Sequence, residues 1–130
     1  MLYKIVYYVF QLFPGFKKWF WKRWYTVLAD KANDPDLRFM NYGYLSNDLS
    51  LTLSAEDEKD RYSIQLYHYV ASQIDLKGLK VLEVGSGRGG GSAYISKYLN
   101  VSEMVGVDIS PTAVDLCNKI YNINNLTFKL

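Results

Sequence analysis

The sequence predicts an α/β fold with a parallel sheet, and three observations carry that reading. Val81-Leu82-Glu83-Val84 is short, apolar and β-branched, as a buried parallel strand is. Glycines follow at Gly85, Gly87, Gly89, Gly90 and Gly91, and then a helical pattern over Ser92–Leu99. A second strand, Met104–Asp108, ends on an acid about twenty residues past the glycine turn, where a carboxylate can accept both hydroxyls of a bound ribose. Strand, glycine turn, helix, strand and acid together describe a nucleoside-binding crossover. Right-handed crossovers order the strands 3-2-1, with helices expected on both faces, as the N-terminal half of a Rossmann-like, doubly wound parallel sheet.

Taken in order, the chain begins with an aromatic and basic arm over residues 1–36. Met1–Phe13 is aromatic and aliphatic and stops at Pro14-Gly15. Phe16–Leu28 has helical spacing, with Phe16, Trp19, Phe20, Trp24, Val27 and Leu28 toward one side and Lys17, Lys18 and Lys22 toward the other. Tryptophans interleaved with lysines suit a helix lying on a membrane surface, and equally a helix packed on its own domain or a partner subunit. Asn33-Asp34-Pro35-Asp36 is a turn and the boundary to the second region, residues 37–130. There Phe39–Leu53 is apolar but irregular, broken by Gly43 and Asn47-Asp48.

Ser54 and Asp57 resemble a capping box, with Glu56, Asp57 and Glu58 in the first turn of a helix reaching about Gln73. Its apolar contacts are read as Tyr62, Leu66, Tyr69 and Val70. His68, the sole histidine, lies on it; a general base is one role, and a hydrogen-bonded packing residue is the commoner one. Arg61 reads as a member of a surface ion pair. After the second strand, Ser110 is an N-cap with Pro111 at the first helical position. That helix carries Ala113, Val114, Cys117, Ile120 and Tyr121 and ends over Asn122–Asn125, and Leu126–Leu130 begins a third strand.

Bulk properties exclude several classes. A formal net charge of +2 over 130 residues gives no case for nucleic acid. Hydrophobic residues make up 49%, enough for a core and unlike a disordered chain. Cys117 is the only cysteine, so no internal disulfide forms; it reads as a buried, inert thiol in a reducing cytoplasm. The longest apolar run, Ile5–Pro14, is broken by Gln11 and is too short to span a bilayer, and no small-residue cleavage site follows it. No metal-ligating cluster is read.

Three cofactor readings compete at the glycine turn. A P-loop requires Lys-Ser or Lys-Thr after its last glycine, whereas Gly90 is followed by Gly91 and Ser92, so that reading fails. Gly85-x-Gly87-x-x-Gly90 fits the dinucleotide fingerprint, which keeps an NAD(P)-dependent oxidoreductase open. The third rests on Glu83, a carboxylate near the end of a buried strand, which is costly there unless it meets a cation or hydrogen-bond donors.

Glu83-x-Gly85-x-Gly87-x-Gly89 resembles the first motif of class I S-adenosylmethionine-dependent methyltransferases. Phe39-Met40-Asn41-Tyr42-Gly43-Tyr44, Asp60-Arg61, Leu66-Tyr67-His68 and Val81–Gly91 resemble the lipid-directed branch, the phthiotriol/phenolphthiotriol dimycocerosate methyltransferases, with sterol methyltransferases further off. The resemblance implies S-adenosyl-L-methionine as cofactor and O-methylation of a hydroxylated lipid or similar hydrophobic small molecule. It places Glu83, Gly85, Ser86, Gly87 and Gly89 beside the methionine part, Asp108 on the ribose, Ile109 against the adenine, and Tyr42 and Tyr44 as a cap bordering the acceptor. Val81–Val84 would have no strand on its other side, so this is expected to be an incomplete domain, inactive alone and lacking the C-terminal half of its sheet. The expected location is the cytoplasm, peripheral at the inner face of the membrane. A non-catalytic membrane-associated fragment is the remaining alternative.

Overall fold

The structure, a computed structural model, describes residues 14–31, 37–46 and 50–130. The chain divides into two compact units, Met1–Asn33 and Asp34–Leu130. In the first, helix α1 spans Pro14–Lys31. It opens at Pro14 instead of after Gly15 and runs three residues past Leu28. Proline at a helix start is tolerated because its missing N–H would be unpaired there anyway. Met1–Phe13, Asn33-Asp34-Pro35-Asp36 and Asn47-Asp48 lie outside the described residues.

Among the described residues the second unit has a 3-10 turn, Glu58–Asp60, then α2 (Arg61–Ala71), β1 (Lys80–Val84), α3 (Gly90–Tyr98), β2 (Glu103–Val107), α4 (Pro111–Ile120) and β3 (Leu126–Lys129). The three strands are parallel in the order β1-β2-β3. Ser110 caps α4 as expected, its Oγ accepting from Ala113 N at 3.3 Å. α3 ends conventionally too, with Asn100 in the left-handed region at φ 52° just past its C-cap Leu99.

Register explains where the core sits. Val81, Met104 and Leu126 are aligned across the sheet, as are Glu83, Gly106 and Phe128. These residues form the face on which the helices pack, with Ala93 and Ile95 of α3 and Val114 and Cys117 of α4. Tyr67 of α2 meets Glu83 on the same face. Met104 and Cys117 are fully buried and Ile64 nearly so, each contributing about 1.5–3 kcal/mol for the larger side chains. Among the described residues, therefore, helices cover one face and not two. Two right-handed crossovers that step in the same direction put both helices on the same side. The other face carries Leu82 and Val84, 61% and 79% exposed, beside Val105 and Val107, and β1 is an edge strand.

α2 differs from expectation at its start and in its phase. Ser54 and Asp57 do pair, at 3.0 Å, but neither caps α2, because the 3-10 turn intervenes. The carboxylate of Asp57 instead turns inward to meet Arg38, Lys97 and Tyr98. Tyr62, Tyr69 and Val70 are exposed, and the inward positions are Ile64, Gln65, Tyr67 and His68. The tyrosines misled the phase: a ring with a hydroxyl is content at a wet surface, whereas the aliphatic Ile64 is not.

Candidate functional site

β1 delivers the chain to the glycine turn and β2 delivers Asp108 beside it, because parallel strands end at the same edge of the sheet. Gly85 N and Ser86 N both donate to Val107 O, at 2.8 and 3.0 Å, tying the turn to the end of β2. Asp108 then closes the loop: Oδ2 accepts from Gly87 N at 2.8 Å and Oδ1 from Ser110 N at 2.9 Å. Each oxygen keeps lone-pair capacity for another donor.

The glycines divide into two kinds. Gly85, Gly87 and Gly89 have φ of +79°, +52° and +76°, a region L side chains rarely adopt. A Cβ on Gly85 would meet nothing within 4 Å, and one on Gly87 only Met40 Sδ at 3.9 Å. That is bare backbone open to a ligand. Gly89 is buried, and its Cβ would fall 2.7 Å from Phe128 and 2.8 Å from Tyr121. Gly90 lies under the backbone of Arg38, and Gly91 under the ring of Tyr67. These last three are glycines so that β3, the strap at Arg38 and α2 can pack against the start of α3.

Glu83 occupies the helix end from inside. Tyr67 donates its hydroxyl to Glu83 Oε1 at 2.9 Å, and Ser92, in the first turn of α3, donates its hydroxyl to Oε2 and also turns its backbone N–H to the carboxylate. Gly106, beside Glu83 in the sheet, has no Cβ to crowd Ser92, whose Oγ would be only 2.9 Å away. Burial raises Glu83 above the usual carboxylate range, and the donors Ser92 and Tyr67 only partly offset it. Its donors among the described residues are neutral. Tyr67 is raised in turn, by burial first and by the carboxylate beside it.

A strap of chain crosses the outside of the same helix end. Arg38 O accepts from Gly90 N at 3.1 Å, and Arg88 Nε donates to Leu37 O at 2.9 Å. The strap is held by the Arg38 guanidinium, bonded to Asp57 at 2.7 Å and to Asp60 through Nε at 2.8 Å. Tyr42, fully exposed, and Tyr44, its ring tilted against Tyr69 with centroids 4.9 Å apart, continue it. Ile109 is 72% exposed immediately after Asp108, an apolar side chain beside the acid. Ser86 is buried, and its Oγ has no partner among the described residues.

His68 does not join this group: its Nδ1 lies 2.7 Å from the Tyr94 hydroxyl, packing α2 on α3. Arg61 pairs with Glu58, three residues earlier, at 2.5 Å. Cys117 is buried, its thiol pushed up to about 11 by burial, which leaves it protonated and inert. No cluster of metal-ligating residues occurs among the described residues. Sequence reading missed Tyr67, Ser92, Gly106 and Arg38. Phasing α2 on Ile64, Tyr67, His68 and Ala71, the i, i+3, i+4, i+7 set, would have turned Tyr67 inward toward β1.

Most of the loop's backbone donors are engaged within the chain. A dinucleotide site offers free N–H groups at the helix N-terminus to an anion. Here Gly87 N is taken by Asp108, Gly89 N by Ser86 O and Gly90 N by Arg38 O, and Glu83 already brings a carboxylate to the helix start. A phosphate placed there would lie beside two acids, with the N–H groups of Gly87, Gly89 and Gly90 already engaged.

No protein-family model matches the chain. Curated relatives do. The phthiotriol/phenolphthiotriol dimycocerosates methyltransferase of Mycobacterium leprae is 35% identical over 109 residues, covering 83% of this chain and 40% of that protein. The fatty-acid O-methyltransferase of Mycolicibacterium smegmatis is 39% identical over 105 residues, covering 80% of this chain and 38% of that protein. A chain in a solved Haloferax volcanii complex with the Trm112 methyltransferase activator overlaps 57% of this chain and 33% of that one, at 22% identity and a TM-score of 0.47. The chain spans about two fifths of the length of the curated relatives it matches. Over the region compared, it is a homologue of methyltransferases that include the phthiotriol/phenolphthiotriol dimycocerosates and fatty-acid enzymes.

Proposed function

We propose that this chain is the cofactor-binding part of an S-adenosylmethionine-dependent methyltransferase that acts on a hydroxyl of a hydrophobic, lipid-like acceptor. The observation that carries the cofactor is the donor set of Glu83. It is a half-buried carboxylate at a helix N-terminus, met by hydroxyl and amide donors and raised by burial, in a loop whose other acid is Asp108. Such a site gains most from a ligand that brings positive charge and ribose hydroxyls, and S-adenosylmethionine has both an ammonium and a sulfonium. The acceptor class is supported by the relatives' names alone.

The residues fit their parts. Glu83 would take the ammonium, Gly85 and Gly87 would let the ligand lie on bare backbone, Asp108 would take the ribose hydroxyls, and Ile109 would pack on the adenine. When bound, the cofactor supplies an electrophilic methyl group, so the protein contributes chiefly position. Tyr67 and Ser92 fix the Glu83 carboxylate, and Arg38 anchors the strap that brings Met40 to within 3.9 Å of a Cβ placed on Gly87, with Tyr42 and Tyr44 as the proposed cap. A lone buried thiol fits a cytoplasmic site of action, and no helix of the described residues is long and apolar enough to cross a membrane.

Isothermal titration tests the reading. S-adenosylmethionine should bind, Asp108→Ala should weaken it about tenfold or more, roughly the worth of a charge-assisted pair of bonds, and NAD should not compete. Displacement by NAD, affinity unchanged in Asp108→Ala, or no binding of S-adenosylmethionine overturns it.

A further inference from the structure

α1 combines cations and exposed rings in an arrangement that the cofactor site does not use. From Pro14 to Ala29 it carries Lys17, Lys18, Lys22 and Arg23 and no acid. Trp19 and Trp24 are 58% and 49% exposed, and Phe16 and Trp21 are exposed with them. So are Lys17, Lys18 and Arg23. The rings brace one another along the axis, Phe16 on Trp19 at 5.7 Å and Phe20 on Trp24 at 6.2 Å.

The angular order of these residues decides what covers them. At about 100° per residue, Arg23 falls between Trp19 and Phe16, and Lys17 between Trp24 and Trp21. Phe16, Phe20 and Trp24 share an arc of about 80°, and Arg23 and Lys17 flank it and separate it from Trp19 and Trp21. A protein partner covering all five rings would have to bury Arg23 and Lys17, at a cost of several kcal/mol for each charge left unpaired. The headgroup layer of a bilayer takes both together, since tryptophan rings and snorkelling cations settle at the same depth. No helix of the described residues is long and apolar enough to cross instead. We propose that α1 lies along the surface of an anionic bilayer, with its rings among the headgroups and its cations against lipid phosphates and carboxylates. This proposal is independent of the cofactor reading.

All three tryptophans of the chain lie in α1, so their fluorescence reports this helix alone. The 130-residue chain is mixed with vesicles of phosphatidylcholine, with and without phosphatidylserine, and followed by tryptophan emission and co-sedimentation. Binding with a blue shift is expected on phosphatidylserine vesicles at low salt, weakening as salt rises. Each cation contributes about fivefold to affinity, so Lys17→Ala/Lys18→Ala/Arg23→Ala should bind roughly a hundredfold more weakly, with helical circular dichroism retained. Trp19→Ala/Trp24→Ala should also lose binding with all four cations in place. The proposal fails if the chain stays in the supernatant at low salt, or if the cation variant binds as tightly as the parent. It also fails if the blue shift appears without vesicles and grows with protein concentration, since the rings would then be covered by a second copy.

Discussion

Asp57 and Glu83 are two carboxylates drawn into the same unit, and they are displaced in opposite directions. Asp57, whose side chain is 4% exposed, accepts from Arg38 at 2.7 Å, Lys97 at 3.1 Å, Tyr98 at 2.7 Å and Ser54 at 3.0 Å. Burial alone would raise it, but Tyr98, Arg38, Lys97 and Ser54 together hold it well below the usual range. Glu83 has donors as well, yet burial prevails and it is raised. The difference is the cation. Two positive side chains complete the surroundings of Asp57, which makes it a structural clasp; Glu83 has none among the described residues, which leaves it suited to a positive ligand.

The largest effect expected is at the clasp. Asp57→Ala leaves Arg38 half-buried with only Asp60 for a carboxylate partner, and removing one member of a buried pair costs about 3–5 kcal/mol. Urea unfolding should show it, and a loss below about 1 kcal/mol would place Asp57 with ordinary surface acids. Next comes Gly91→Ala, whose methyl would enter the Tyr67 ring; overpacking there should cost about 2–3 kcal/mol and loosen the Tyr67–Glu83 bond with it.

Glu83→Gln sharpens the comparison because its sign is reversed. An acid raised in the folded state binds more protons folded than unfolded, so its contribution to stability falls as pH rises from the ordinary carboxylate range through its raised pKa. Removing the charge should leave stability at neutral pH equal or higher while lowering S-adenosylmethionine affinity about tenfold, or 1.4 kcal/mol. Asp57 behaves in the opposite way: its contribution is present above the ordinary range and is lost as pH falls below it. Thermal melts across pH should therefore lose the decline that sets in above the ordinary carboxylate range in Glu83→Gln, and the decline below that range in Asp57→Asn. The smallest effect belongs to Lys80→Ala. Its partner Glu103 is 2.9 Å away, but Lys80 is 80% exposed, and melting should not change measurably.

Much of this unit was legible in the chain. β1, β2 and β3, the strand order, the N-cap at Ser110 and the nearness of Asp108 to the glycine turn all follow from local pattern and crossover handedness. The five glycines were legible as a turn but not as two groups. What separates Gly85 and Gly87 from Gly89, Gly90 and Gly91 is the presence of Phe128, Arg38 and Tyr67, which are distant in sequence. The phase of α2 was misread because its exposed tyrosines outnumber its buried aliphatic residues.

The sequence by itself determined the strands, the turn, the cap at Ser110 and the acid at the end of β2, because each depends on neighbours within a few residues or on the handedness of one crossover. Tertiary structure alone decided which acid meets which donor. Glu83 finds Tyr67 sixteen positions away, and Asp57 finds Lys97 forty positions away. Burial makes a carboxylate costly wherever it occurs. Whether that cost is answered by the fold's own cations or left to a ligand depends on contacts between segments, which no local pattern encodes.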